Sequence, residues 1–271
     1  MLTSNIKFKN FNIIKSNKVK SFKNEKWFKK IRFFETLNPK YKYAYSKSQI
    51  RKFSKSKNFR LIGMGGSVLG TQAIYQFLNH KIKKKFIFIN NLNPNLTNTE
   101  KKIKATNIII SKSGNTLETI ANSNLLIRGN KNIFITEKKT NYLRSLANSI
   151  KAEVIEHKNY IGGRYSVLSE VGMLPAEIMG LKEKKFKRFN YLINNKNFLN
   201  QLIKNVGAIL NFVKEKRYNS IILNYDKKSE NLFRWYQQLV AESLGKKSKG
   251  ILPIISSMPC DNHSLLQLYL D

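Results

Sequence analysis

The chain has 271 residues, 41% of them hydrophobic, enough for a sizeable core and, at roughly 150 residues per domain, for one or two domains; two are expected. Its 50 Lys and Arg against 16 Asp and Glu give a net charge of +34, which attracts any polyanion. The lysines are nevertheless spread along the whole chain among abundant Asn and Ile, with no zinc-knuckle spacing, basic-region heptad or recognition-helix pattern, so nucleic acid is not the expected partner. The single cysteine, Cys260, excludes an intrachain disulfide and a cysteine-based metal site and fits a reducing compartment. Neither a leader-like apolar segment nor the roughly twenty apolar residues of a membrane span is found, so a soluble cytoplasmic protein without a membrane partner is expected.

Residues 1–57 are basic and aromatic, with a helical stretch around Trp27–Leu37 that Asn38-Pro39 ends, and are read as a structural extension packing on the domain that begins at residue 58. From residue 58, β-branched runs alternate with helical patterns. Strands are expected at Phe59–Gly63, Lys85–Asn90, Ile108–Ser111, Ile133–Thr136 and Glu153–Glu156, and helices at Leu69–Phe77, Thr116–Ile127 and Tyr142–Asn148. Such alternation implies parallel strands joined by crossover helices, with ligands at the carboxyl ends of the strands. A helix-like pattern runs from Ser166, and the basic, loop-like segment Lys182–Phe198 marks a boundary between domains at 58–181 and 182–271. A second alternation comprises helix Leu199–Glu215, strand Ser220–Asn224, a helix after Ser229, strand Ile251–Ser256 and the pattern HSLLQLYL, whose apolar face is unfinished at Asp271. The second sheet is therefore expected to be incomplete. His80 and His157 fall among lysines in segments read as surface.

Four stretches could carry chemistry. RLIGMGGSVLG, residues 60–70, puts Gly63, Gly65 and Gly66 between a strand and a helix, where backbone can approach an anion; a tight turn accounts for the same glycines. Val68 stands where a dinucleotide fingerprint needs glycine, and no Lys-Ser or Lys-Thr comes after the last glycine to make a P-loop. IIISKSGNTLET, residues 108–119, gathers Ser111, Lys112, Ser113, Asn115 and Thr116 at a helix start, a receptor for a phosphate monoester unless Asn115 and Glu118 merely cap the helix. IGGRYSVLSEVG, residues 161–172, offers Arg164, whose cationic fork suits an oxyanion. Asp261-Asn262-His263-Ser264 starts a helix and holds the one histidine with a local motif.

Residues 229–250, SENLFRWYQQLVAESLGKKSKG, read as a helix with Ser229 as N-cap and Gly245 as its stop. Glu242 falls in its last turn, where the negative end of the helix dipole disfavours an anion, or else it pairs on the surface with Lys246 or Lys247.

In this order, GMGGSVLG, SKSGNTLET, GGRYS, QQLVAESLGK and NHS resemble the glucose-6-phosphate isomerase family from about residue 59 onward. The resemblance implies an α/β fold of two phosphosugar-isomerase (SIS-type) domains, with parallel sheets flanked by helices and the second incomplete. It implies that Ser67, Ser111, Lys112, Ser113 and Thr116 surround the sugar phosphate, that Gly66 lines the site, and that Arg164 stabilises an enediolate. Glu242 would be the base, and His263 would assist ring opening, reaching the site from the partner subunit of a homodimer. No metal or organic cofactor is implied. SKSGNTLET departs from the family in Ser-Gly-Asn, where a Thr-rich run is usual, and in Leu117, where Gln is common; it is closer to the wider group of phosphosugar-binding domains. The family also continues past the NHS helix into a segment bearing a lysine near the substrate, which the 271 residues do not include. A phosphosugar-binding module without turnover and a nucleic-acid-binding protein are the competing readings.

Overall fold

In a computed structural model, the structure describes residues 31–53, 55–93, 103–127, 131–247 and 249–271. The first half runs α1 (Lys47–Lys52), β1 (Asn58–Gly63), α2 (Leu69–Phe77), β2 (Lys85–Ile89), β3 (Thr106–Ile110), α3 (Leu117–Leu126), β4 (Asn132–Thr136), α4 (Tyr142–Ser149), β5 (Glu153–Glu156) and α5 (Glu170–Ile178). The strands form one parallel sheet in the order β2-β1-β3-β4-β5. The chain leaves β1 toward one edge and returns to β3 on the other side. Their carboxyl ends, at Gly63 opposite Ile110, thus flank the point where strand order reverses, the usual ligand crevice of an open α/β sheet.

Period-2 alternation divides the core. Phe59, Leu61, Ile108, Ile110, Ile133 and Ile135 face one way onto Met173 and Leu174 of α5. Ile62, Ile109 and Phe134 face the other, onto Leu126 of α3 and Leu143 and Ala147 of α4. Burial on both faces leaves every residue of β3 buried, as its run of Ile requires. One charged side chain joins this core: Arg60 is fully buried, its guanidinium donating to Asn107 Oδ1 at 3.3 Å and to the Ile103 carbonyl.

The second half comprises α6 (Glu183–Phe186), α7 (Asn190–Asn194), α8 (Lys196–Lys214), β6 (Asn219–Asn224), α9 (Glu230–Leu244), β7 (Leu252–Ser257) and α10 (Leu266–Leu270). β6 and β7 pair in parallel as a two-stranded sheet among the described residues. Helix α9 packs on both β7 and α2. Tyr218, Leu223, Leu252, Leu268 and Leu270 stand exposed around this smaller sheet.

Three expectations and one alternative reading are corrected. Lys182–Phe198 is not loop-like: short helices α6 and α7, a 3-10 turn between them and the start of α8 fill it, and Leu181 and Phe186 pack against the first core. Its lysines occupy the outer face of a helical segment, which charge counting cannot distinguish from a loop. His157 is not at the surface but 2% exposed, because its N–H continues the sheet by donating to Thr136 O at 2.8 Å. Asn115 and Glu118 form no capping box; Asn115 Oδ1 instead accepts the Tyr142 N–H at 3.0 Å, and Thr116 caps α3 without a side-chain bond. The expected helix around Trp27–Leu37 is a 3-10 turn over Arg32–Leu37, its first residues lying outside the described ones.

Residues 31–53 are fastened to α5 by polar groups. The buried Glu170 carboxylate accepts the Ala44 N–H at 2.9 Å and the Tyr41 hydroxyl at 3.2 Å, while Tyr45 donates to Glu177 at 2.8 Å. Burial pushes the Glu170 carboxyl above its ordinary value.

Two outcomes are expected from this packing. Gly66 lies backbone to backbone against Gly163 and Arg164, and a Cβ there would overlap the Gly163 carbonyl. Gly66→Ala should lower stability by about 1–3 kcal/mol, read as a drop in urea midpoint; an unchanged midpoint would contradict the contact. Burial also holds the His157 ring below its ordinary value of 6.5, with Lys112 adding to the effect against Glu137 and the Lys158 carbonyl. The unfolded chain takes up the proton that the folded one resists. Stability from this group is therefore present above the unfolded value and declines as pH falls through it. Urea melts between about pH 7.5 and about pH 5.5 should show the decline, and His157→Gln should flatten it.

Candidate active site

The loop after β1 turns sharply at Gly65, whose φ of +50° only glycine adopts freely. It delivers Gly66 onto the 3-10 turn Gly163–Leu168, which Ser166 stiffens by donating to the Gly163 carbonyl at 2.6 Å. Arg164 thereby leaves the turn facing the carboxyl end of α9. Its Nη1 lies 2.7 Å from Glu242 Oε1 and its Nε donates to Ser243 Oγ at 2.9 Å. The Trp235 indole donates to the Arg164 carbonyl at 3.0 Å, so backbone and guanidinium are both held by one helix.

Glu242 thus pairs with Arg164 rather than with Lys246 or Lys247. The carboxylate is 52% exposed and the arginine side chain 18%, so the pair is open to a ligand on the carboxylate side. Gln238, one turn earlier, donates to Glu242 Oε2 at 3.2 Å and also abuts Gly65. Tyr165 completes the group: its ring lies 4.7 Å from the Arg164 guanidinium carbon, and its hydroxyl is 2.7 Å from Ser243 Oγ. Burial alone would raise the Tyr165 phenol, but the Ser243 hydroxyl and Arg164 outweigh it and hold it below its ordinary value.

At the neighbouring carboxyl end of β3, Gly114 at φ +69° folds the loop so that its N–H donates to Ser111 Oγ at 3.1 Å. Ser111 Oγ lies 2.8 Å from Thr116 Oγ1 and 3.5 Å from Ser113 Oγ, gathering three hydroxyls ahead of α3. Lys112 turns aside, donating to the Asn159 carbonyl at 2.6 Å and lying 3.6 Å from Glu137. Ser67 is next after Gly66 and packs beside Gly63 at the same edge.

The fold therefore brings Arg164 to Glu242 and Gly66 to Arg164, and sets the hydroxyl loop on the adjacent strand. It leaves His263 apart: the residue ends an exposed 3-10 turn, Cys260–His263, and its side chain makes no hydrogen bond or ion pair among the described residues. Sequence reading missed Ser243, Tyr165, Trp235 and Gln238 as members of the group. The i, i+4 spacing of Gln238 and Glu242 was the available signal for Gln238; nothing in the sequence marks the Trp235 bond across 71 residues.

Residues 49–252 match the family model described as phosphoglucose isomerase. The chain is 34% identical over 234 residues to glucose-6-phosphate isomerase of Methanocaldococcus jannaschii, covering 79% of this chain and 57% of that protein. It is 30% identical to a probable glucose-6-phosphate isomerase of Methanococcus maripaludis, covering 99% of this chain and 66% of that one. The chain thus spans between 57% and 66% of these relatives' length. Its fold resembles a solved glucose-6-phosphate isomerase from Chlamydia trachomatis, with TM-score 0.64 at 20% identity, covering 90% of this chain and 52% of that one. It also resembles tagatose-6-phosphate ketose/aldose isomerase from Escherichia coli, with TM-score 0.51 at 16% identity, covering 96% and 72%. The order of elements, the glycine-loop contact with the Arg164 turn and the match over 49–252 agree: the chain belongs to the phosphoglucose isomerase family.

Proposed function

We propose that this chain carries the reacting groups of an aldose–ketose isomerase that interconverts glucose 6-phosphate and fructose 6-phosphate through an enediolate. The observation that carries the reading is the Arg164–Glu242 pair at 2.7 Å, open on the carboxylate side at the edge of the sheet where the hydroxyl loop also ends. In this reading Ser67, Ser111, Ser113 and Thr116 receive the phosphate beside the backbone of Gly66. Lys112 joins them by exchanging the Asn159 carbonyl for a phosphate oxygen.

Glu242 removes the proton from C2 of the open-chain aldose, and the electron pair becomes the C1–C2 double bond of the enediolate as the π pair of the C1 carbonyl moves onto O1. The same carboxyl returns the proton to C1, its neighbour, while the C2 hydroxyl proton passes to O1 and the C1–C2 π bond is replaced by the C2 carbonyl. Arg164, already held by Ser243 and Trp235, stays beside the oxygen on which negative charge grows. His263 assists ring opening from the partner subunit of a homodimer, which accounts for its exposure in a single chain. Neither a metal nor an organic cofactor takes part, and the reaction belongs to sugar phosphate metabolism of the cytoplasm. Among the described residues no helix is long and apolar enough to cross a membrane.

Proton NMR with fructose 6-phosphate in deuterated water tests the proposal. Glucose 6-phosphate labelled at C2 should appear, and Glu242→Gln should slow its formation by about 10²–10⁴; a variant as fast as the parent would refute the base. Binding without turnover in the parent would favour the phosphosugar-binding module. Ser243→Ala should lower turnover by about tenfold by freeing the guanidinium, with the affinity for fructose 6-phosphate nearly unchanged.

A further inference from the structure

Lysines scattered in sequence are collected in space. The amino edge of the five-stranded sheet, opposite the candidate active site, receives Lys55 and Lys57 ahead of β1, Lys85 at the start of β2, Lys104 ahead of β3 and Lys131 ahead of β4. The ladder extends to this edge, with the Lys85 N–H donating to the Lys57 carbonyl at 3.0 Å and the Asn107 N–H to the Lys131 carbonyl at 2.9 Å. Since neighbouring strands lie about 4.8 Å apart, the lysines of β1, β3 and β4 stand side by side.

A cavity of about 550 Å³ opens between them, lined by Lys55, Lys57, Lys104, Lys131, Ser56 and Thr106 among others. Ser56 Oγ and Thr106 Oγ1 lie 2.8 Å apart on its wall, and Asn58 Nδ2 donates to the Lys104 carbonyl at 3.4 Å, tying β1 to β3 beneath it. Among the described residues its lining contains no carboxylate, and none of the four lysines forms an ion pair. Elsewhere Lys47, Lys52, Lys112, Lys139 and Lys158 each have a glutamate. The carboxylate on the same edge, Glu153, is occupied by Gln49 and Lys52.

We propose that this cavity is an anion site for an oligophosphate chain, free or as the tail of a nucleotide. Four lysines line one concavity, where an anion would offset their like charges. A phosphate monoester, at roughly two charges, offsets half of the four lysine charges, whereas a chain of phosphates spans all four and accepts from the one hydroxyl proton that the Ser56–Thr106 bond leaves free. The volume suits a ligand of that length, small-molecule sites being about 300–1,000 Å³. The site is independent of the isomerase reading.

Calorimetric titration of the full chain with inorganic tripolyphosphate tests it, beside a cavity variant, Lys57→Gln with Lys104→Gln and Lys131→Gln, and a control variant of equal charge, Lys196→Gln with Lys214→Gln and Lys228→Gln. Saturable binding should weaken by about tenfold or more in the cavity variant and by less than about threefold in the control. Circular dichroism checks that both fold; should the triple cavity variant not fold, Lys131→Gln alone should still weaken binding. ATP binding as tightly as tripolyphosphate would show that the chain of phosphates alone is recognised, and tighter binding would assign the nucleotide form. Equal losses in the two variants, no saturable binding, or binding only of a long single-stranded oligonucleotide would overturn the proposal.

Discussion

The candidate site rests on one steric constraint, the contact of Gly66 with Gly163. Two backbones meet there without intervening side chains, which fixes the turn that bears Arg164 relative to the end of β1. Once that turn is placed, Trp235 and Ser243 of α9 can reach the backbone and side chain of the same arginine. The helix is thereby docked on α2 and on the Gly163–Leu168 turn, with its last turn and Glu242 beside Arg164. A packing requirement at a glycine becomes an electrostatic arrangement between residues 78 positions apart.

A chain so rich in lysine has few carboxylates, and their placement is economical. Glu170 and Glu177 on α5 hold residues 31–53 through Tyr41, Ala44 and Tyr45, and Glu153 holds α1 through Gln49 and Lys52. These are fastening contacts, with Glu170 fully buried to serve them. Glu242 differs in being half exposed while paired with an arginine.

The two sheets are unequally finished. The first is covered on both faces, whereas the second consists of β6 and β7 with α9 on one side and several large apolar side chains exposed. The chain spans 57% of the Methanocaldococcus relative and 66% of the Methanococcus one. The family model matches residues 49–252, which contain the Arg164–Glu242 pair but not His263.

Local order was legible because it is written in short-range signals. Alternating β-branched runs and helical periodicity located the strands and most helices to within a residue or two, and glycine with hydroxyl-rich turns marked the two loops at the carboxyl edge. Those features need only neighbours along the chain. The burial of Arg60 and His157, the helical form of 182–198 and the partners of Arg164 were not legible, because each depends on which distant segment lies opposite. The same limit applies to charge. Dispersed lysines read as composition, and only strand order and register, set by parallel pairing of segments far apart in the chain, place Lys57, Lys104 and Lys131 along one edge.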